Sequence, residues 1–479
     1  MPQASRSSPG QQSLALVEST AGHLPALDLA AEWKAQQRLW GHSFHPMCSY
    51  LAMFPAGLAH AFIARYSRRG DVVLDPFSGR GTTALQACAE GRVGVGTDLN
   101  PMAHMLTGAK VDPPTRAELS TRLAMLRLRW SAEAPRWERL AVAARAAPGP
   151  GGWAVPPAGG RGQPAPLPRE VAVAFHPTTL AQLLMLRQAL QAVDGPTDGP
   201  TGPVAGASAD RVDRFIAAAI IGILHGRSQS YLSDLMPNSF SMAPRYVRTY
   251  VERTGFRPAE RDVFDCVEAK VRRLFRQPPP EQRGLALLAD ARAASGPVRS
   301  ALRARALPDR ARLVVASPPY LRVVKYGYYN WLRLWFLGVD PMAVDARLDD
   351  AHQLEPYLAF LRAVLGDLRE ALTDDAVVAL VVGDVELDRG RPLPGGIGLA
   401  ETVWARCAEP EAYRLAGIVR DDVAAHRKLT KLWGAEAGRA TKVDRLLVMA
   451  PTELGRRRAL AGAGRPVDWT WPTRQLRVV

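Results

Sequence analysis

Apolar and polar positions follow two patterns along this 479-residue chain. Short uninterrupted apolar runs read as buried strands, and longer stretches with apolar residues every three or four positions read as helices. The runs are Val72-Val73-Leu74, Val93-Gly94-Val95-Gly96, Leu285 to Leu288, Leu313 to Ala316, Ala376 to Asp384 and Leu446 to Met449. Helical spacing marks Leu58 to Tyr66, Ala84 to Glu90 and the stretch from Glu355 to Leu372. Gly91 closes the second of these as a C′ glycine would. Strands alternating with helices predict an α/β fold built on a mostly parallel sheet.

About two hundred residues between Pro101 and Ser317 break that rhythm. Helix patterns dominate there: RAELSTRLAMLRLRW from Arg116, TTLAQLLMLRQALQAV from Thr178 and DRFIAAAIIGILHG from Asp213. The stretches 146–168 and 194–209 are rich in Pro and Gly and read as disordered loops. The pattern therefore predicts a large, mainly helical insertion.

Two strand ends carry candidate chemistry. After Ala316 comes Ser317-Pro318-Pro319-Tyr320. Consecutive prolines stop regular structure and fix a rigid turn, at the edge where open α/β sheets place ligands. That turn offers a hydroxyl, prolyl carbonyls with no competing N–H, and an aromatic face, which together suit a flat, amine-bearing ring. After Leu74 comes the turn Asp75 to Thr83, then the short helix, then a strand closing on Asp98-Leu99-Asn100-Pro101. Glycines let backbone approach a ligand, and an acid about 20 residues on can bind ribose hydroxyls. Gly79 and Asp98 have that spacing. A dinucleotide fingerprint would need a third glycine, and a P-loop would need a lysine beside Gly81-Thr82-Thr83; both are missing. Asp75 suits a cofactor with a cationic or amino group.

With both motifs in these contexts, the sequence resembles the amino-methylating, S-adenosylmethionine-dependent DNA methyltransferases. DPFSGRGTT (75–83), TDLNP (97–101) and SPPY (317–320) carry the resemblance. It implies a Rossmann-like methyltransferase fold, with S-adenosyl-L-methionine bound by Asp75, Pro76, Phe77, Gly79, Gly81, Thr82, Asp98 and Asn100. It makes Ser317, Pro318, Pro319 and Tyr320 the catalytic residues that hold the target base. It also brings Asp290 to the cofactor's adenine amine, although an N-cap or turn aspartate reads equally well there. Serine in the first position of SPPY resembles the cytosine-N4 branch, since adenine-N6 enzymes more often carry Asp or Asn there. The implied activity is site-specific methylation of the N4 amine of a flipped-out cytosine in double-stranded DNA. Adenine-N6 and RNA amino-methylation are the alternatives. The carbon-5 cytosine route needs a nucleophilic cysteine, commonly after proline, and no Pro-Cys dipeptide occurs. The chain departs from the family at Phe54-Pro55, where Lys-Pro often stands.

The resemblance divides the chain into a disordered start (1–22), a cofactor-binding half (23–111), the insertion as candidate target-recognition region (112–283), a catalytic half (284–455) and a tail (456–479). Residues 224–253 combine arginines, small hydroxyls, amides and aromatics, the groups that contact phosphates and base edges. Arg227, Tyr231, Arg245 and Arg248 are the candidates there, with Lys325 and Tyr326 beside the Pro-Pro turn. Lys428, Lys431, Arg439 and Lys442 read equally as phosphate contacts or as a solvated loop. Trp331, Leu332, Leu334 and Trp335 read as core.

Composition agrees with an anionic partner: the formal net charge is +15, which favours a polyanion such as nucleic acid. A GC-rich coding sequence would enrich arginine in the same way, so charge supports the reading without founding it. The four cysteines lie far apart with no C-x-x-C pair, so neither a disulfide framework nor a zinc pattern is expected. His42, His45 and Cys48 lack a second ligand pair and read as a packed loop, so no metal is expected. With no apolar h-region at the start and no membrane-length apolar stretch, a soluble, cytoplasmic, nucleoid-associated protein is expected. A cognate restriction or defence-system partner is left open.

Overall fold

The computed structural model describes residues 24–37, 40–51, 53–146, 167–191, 210–237, 240–321, 325–348, 353–383, 398–422 and 443–470. Its centre is an eight-stranded sheet: β1 (Ala26–Leu27), β2 (Val72–Asp75), β3 (Val93–Asp98), β4 (Leu285–Leu288), β5 (Ala311–Ala316), β6 (Leu372–Gly383), β7 (Arg414–Asp422) and β8 (Val443–Ala450). The spatial order is β1-β7-β8-β6-β5-β2-β3-β4. Every pairing is parallel except those of β8, which runs against both β6 and β7.

Strand order positions the site. From β2 the chain builds outward through β3 and β4, then returns to β5 on the other side of β2. The order therefore reverses between β2 and β5, and open α/β sheets bind ligands in the crevice outside the carboxyl ends at such a switch point. Asp75 ends β2, and Ser317 follows directly after β5.

Both sheet faces are covered, which explains why the strands are apolar throughout rather than alternating. Val72, Leu74, Val314 and Ala316 pack with the helix Leu354–Leu368 on one face. Val73, Leu313 and Val315 pack with the helix Ala56–Tyr66 on the other.

Among the described residues, 112–283 form no strand. The principal helices are Arg116–Ala146, Pro177–Gln191, Arg211–Ile221, Pro244–Thr254 and Val263–Leu274. Their core runs on into Met102, Met105 and Leu106 of the helix Pro101–Val111 and into Trp331, Leu332, Leu334 and Trp335. Burying each such large apolar side chain contributes roughly 1.5–3 kcal/mol. The helices are thereby packed against both the helix Pro101–Val111 and the segment after the Pro-Pro turn. No helix among the described residues is long and apolar enough to cross a membrane.

Candidate cofactor and target-base site

The turn after β2 is a backbone cradle. Gly79 and Gly81 hold φ of 51° and 75°, a left-handed conformation that costs glycine little. A Cβ at Gly81 would stand 2.8 Å from the Thr107 hydroxyl. Gly94 of β3 is needed for packing, because a Cβ there would lie 2.0 Å from the Ala84 carbonyl of the helix above it. Pro76 is buried beneath the turn and Phe77 partly buried, the latter 5.9 Å from the Phe360 ring. Asp75 is 1 % exposed and accepts from the Phe77 amide at 3.0 Å. The Thr83 hydroxyl donates to the Val315 carbonyl at 2.8 Å, tying the turn to β5. Thr82 opens the helix after the turn, and its hydroxyl accepts from Arg80 Nε at 3.3 Å.

Asp98 closes the cradle from β3. Its Oδ2 accepts from the Gly79 amide at 2.8 Å and its Oδ1 from the Asn100 amide at 2.9 Å. Each oxygen keeps a lone pair for a ligand hydroxyl. Burial, reinforced by the Asp98 charge, pushes the Asp75 carboxyl up to about 7. Burial likewise raises Asp98 to about 6, against the opposing pull of its backbone amides. Among the described residues, neither forms an ion pair with a lysine or arginine. Two carboxylates held by backbone amides, with no cationic side chain paired to them among the described residues, fit a cationic ligand that bears hydroxyls, and S-adenosylmethionine has both features. Asn100 caps the next helix by accepting from the Met102 amide at 3.0 Å and donates to the Tyr50 hydroxyl at 3.0 Å.

The loop after β5 meets the same crevice. Burial is the chief cause that pushes up the ionisation of the Tyr320 hydroxyl. Pro318 is buried, while Pro319 and Tyr320 are partly exposed. Tyr326 stacks on Tyr50 with ring centroids 5.7 Å apart and planes 25° from parallel. The phenols of both Tyr50 and Tyr326 are raised mainly by burial and then by the Asp98 charge. The loops after β2, β3 and β5 and the segment before the Ala56–Tyr66 helix thus converge. Tyr50 carried no signal in the sequence, since a lone tyrosine far from either motif has no periodic partner.

Other candidates have mixed placements. Asp290 caps a short turn, accepting from the Arg292 amide at 2.9 Å, and pairs with the Arg292 guanidinium at 2.6 Å. Those bonds hold its carboxyl below the usual range. Lys325 is exposed at the start of the short helix Tyr326–Tyr329, whose first amides donate to Asp345. Arg227 and Arg245 are exposed and Tyr231 partly buried. Arg248 is engaged by buried Glu170 at 3.2 Å. The insertion is bolted to the loop after the Pro-Pro turn: the Ser241 amide donates to the Tyr329 carbonyl at 2.6 Å, and the Trp331 indole to the Met242 carbonyl at 2.7 Å. Lys428, Lys431, Arg439 and Lys442 lie outside the described residues, as do 1–22 and most of the two Pro/Gly-rich stretches. His42, His45 and Cys48 hold no metal-ligand grouping with one another or with other described residues.

Residues 31–107, which contain the cradle and Asp98, match the model of the DNA methylase family of N6 and N4 methyltransferases. Over this stretch the chain is similar to the amino-type DNA methyltransferases. The chain is 31 % identical to a type II methyltransferase of Methanocaldococcus jannaschii over 86 residues, 18 % of this chain and 15 % of that protein. It is 45 % identical to an orphan methyltransferase of Bacillus amyloliquefaciens over 49 residues, 10 % of this chain and 18 % of that one. The aligned stretches thus span under a quarter of these methyltransferase relatives. An rRNA methyltransferase structure from Streptomyces viridochromogenes is similar at 11 % identity with a TM-score of 0.26, over 91 % of this chain and 94 % of that one; a likeness that low carries no argument. The family match ends before Ser317.

Proposed function

We propose that this chain is an S-adenosylmethionine-dependent DNA methyltransferase acting on the exocyclic amine of a base swung out of the duplex, with cytosine N4 favoured over adenine N6. The carrying observation is the meeting of the glycine cradle and the Ser317 loop at the switch point, with Asp98 bonded to Gly79. Bound there, S-adenosylmethionine would supply an electrophilic methyl group on a sulfonium centre.

The remaining work falls to the chain's own groups. Asp98 would accept from ribose hydroxyls, and Asp75 would face the cationic end. A base leaves the stack at a cost of a few kcal/mol, and the Tyr320 ring gives it a stacking face. Ser317 and the Pro318 carbonyl accept from its amine and direct the nitrogen lone pair toward the cradle. The methyl carbon would exchange its bond to the sulfonium sulfur for one to the base nitrogen, and the proton displaced from that nitrogen would pass to bulk water. Catalysis is then largely positioning. The preference for cytosine rests on serine at position 317.

The test is transfer of labelled methyl from S-adenosylmethionine to duplex DNA, with RNA in parallel and a Tyr320→Ala protein as control. Label in DNA that depends on Tyr320 is expected. Label confined to RNA sinks the DNA reading, and N6-methyladenine as product would move the target choice to adenine.

A further inference from the structure

The helix Leu354–Leu368 packs on the sheet through Leu358, Leu361 and Leu365, at the spacing of one helical face. Tyr357 lies in that apolar layer and is 2 % exposed, yet its hydroxyl has no hydrogen-bond partner among the described residues. Burying an unpaired hydroxyl costs free energy, and phenylalanine would fill the space without that cost. The nearby Cys407 thiol does not relieve it, since it donates to the Leu358 carbonyl. Tyr357 packs in the same buried cluster as Ala316 and Leu321, which bracket the Ser317 loop, and Phe77 of the cradle packs against that cluster. The unpaired hydroxyl therefore belongs to a side chain beside the carboxyl end of β5, and in the segment that follows Tyr326 stacks on Tyr50.

We infer that the Tyr357 hydroxyl touches the substrate, donating a hydrogen bond to the ring nitrogen beside the amine-bearing carbon of the target base. This rests on the proposed amino-methyltransferase reading. In that reading Ser317 and the Pro318 carbonyl accept from the amine, and proline has no N–H to give. The ring nitrogen next to it, N3 in cytosine or N1 in adenine, then needs a donor. Flipped bases are read by hydrogen bonds along this edge. Tyr357 supplies that donor, which gives its unpaired hydroxyl a partner only when the base is present.

The test uses the full chain with Tyr357→Phe. Losing one such bond lowers kcat/KM for DNA by about ten-fold, with unchanged affinity for S-adenosylmethionine and an unchanged or raised unfolding midpoint. A second arm places 3-deazacytosine or 1-deazaadenine at the mapped methylation position. The wild type then loses the same factor, and the variant loses nothing more. Full activity of the variant on ordinary DNA, a destabilised variant, or an equal deaza penalty in both proteins overturns the role. A wild type that methylates no DNA overturns the underlying reading instead.

Discussion

Replacing Asp75 by Asn probes the electrostatics of the cradle with little change of shape. Asp75 is raised from 3.8 to about 7, chiefly by burial. For a carboxyl whose folded pKa lies above its unfolded one, the ionised form is the penalised form. The penalty is absent below the unfolded pKa, grows as pH rises, and is complete above about 7. At 1.36 kcal/mol per unit it reaches about 4 kcal/mol, an upper bound because Asp98 titrates with it. Asparagine keeps the acceptor for the Phe77 amide and carries no charge. The ligand-free variant is therefore expected to gain stability over wild type as pH rises, by at most about 3 kcal/mol between pH 5 and pH 8. A cationic ligand reverses the balance, because it favours the carboxylate. Wild-type affinity for S-adenosylmethionine should rise with pH through 6 to 7 and binding should release protons, while the variant binds weakly with no such release. Urea unfolding across pH, and calorimetry in buffers of different ionisation enthalpy, read both effects. A pH-independent stability difference, or unchanged cofactor affinity in the variant, would refute the reasoning.

Gly81→Ala forces a side chain into φ 75° against Thr107; a loss of about 2 kcal/mol in unfolding free energy is expected, with cofactor binding abolished in equilibrium dialysis. Arg245→Ala should leave the unfolding midpoint alone, weaken DNA binding, and lower the salt slope by about 1, measured by fluorescence titration over a range of salt. Arg248→Ala should instead destabilise by about 1–3 kcal/mol, because it strands the buried Glu170 carboxylate. Trp331→Phe removes the bond to the Met242 carbonyl; it should cost about 1 kcal/mol and reduce DNA affinity while S-adenosylmethionine affinity, followed by calorimetry, stays the same.

The strands that hold the two motifs were legible because each is an apolar run stopped by an aspartate or a proline. β7 was not, since Gly417 and the charged end Arg420-Asp421-Asp422 interrupt its pattern. The structure shows why a charge is tolerated there: Asp421 accepts from the Trp33 indole at 2.8 Å and pairs with Lys34 at 3.0 Å. The helix read from Arg116 to Trp130 continues to Ala146 through Pro135, a residue that in sequence reads as a helix breaker. Asp98 could be paired with Gly79 from spacing alone, because one strand and one turn fix their separation. Tyr50 and Tyr357 could not be found that way. They reach the crevice from elements remote in sequence, and along the chain each is only another aromatic in an apolar stretch. Arg248 shows the opposite gap: its place among exposed cations resembled that of Arg245 until the Glu170 contact separated the two.

Methyl transfer to an exocyclic amine of DNA is the central claim, and nucleoside mass spectrometry tests it most directly. Duplex DNA is incubated with the full chain and trideuteriomethyl-labelled S-adenosylmethionine, then digested to nucleosides. The account predicts label on the N4 amine of deoxycytidine, lost in an Asp98→Ala protein that still folds. Label on carbon 5 of cytosine, or unlabelled DNA beside labelled RNA, would contradict it.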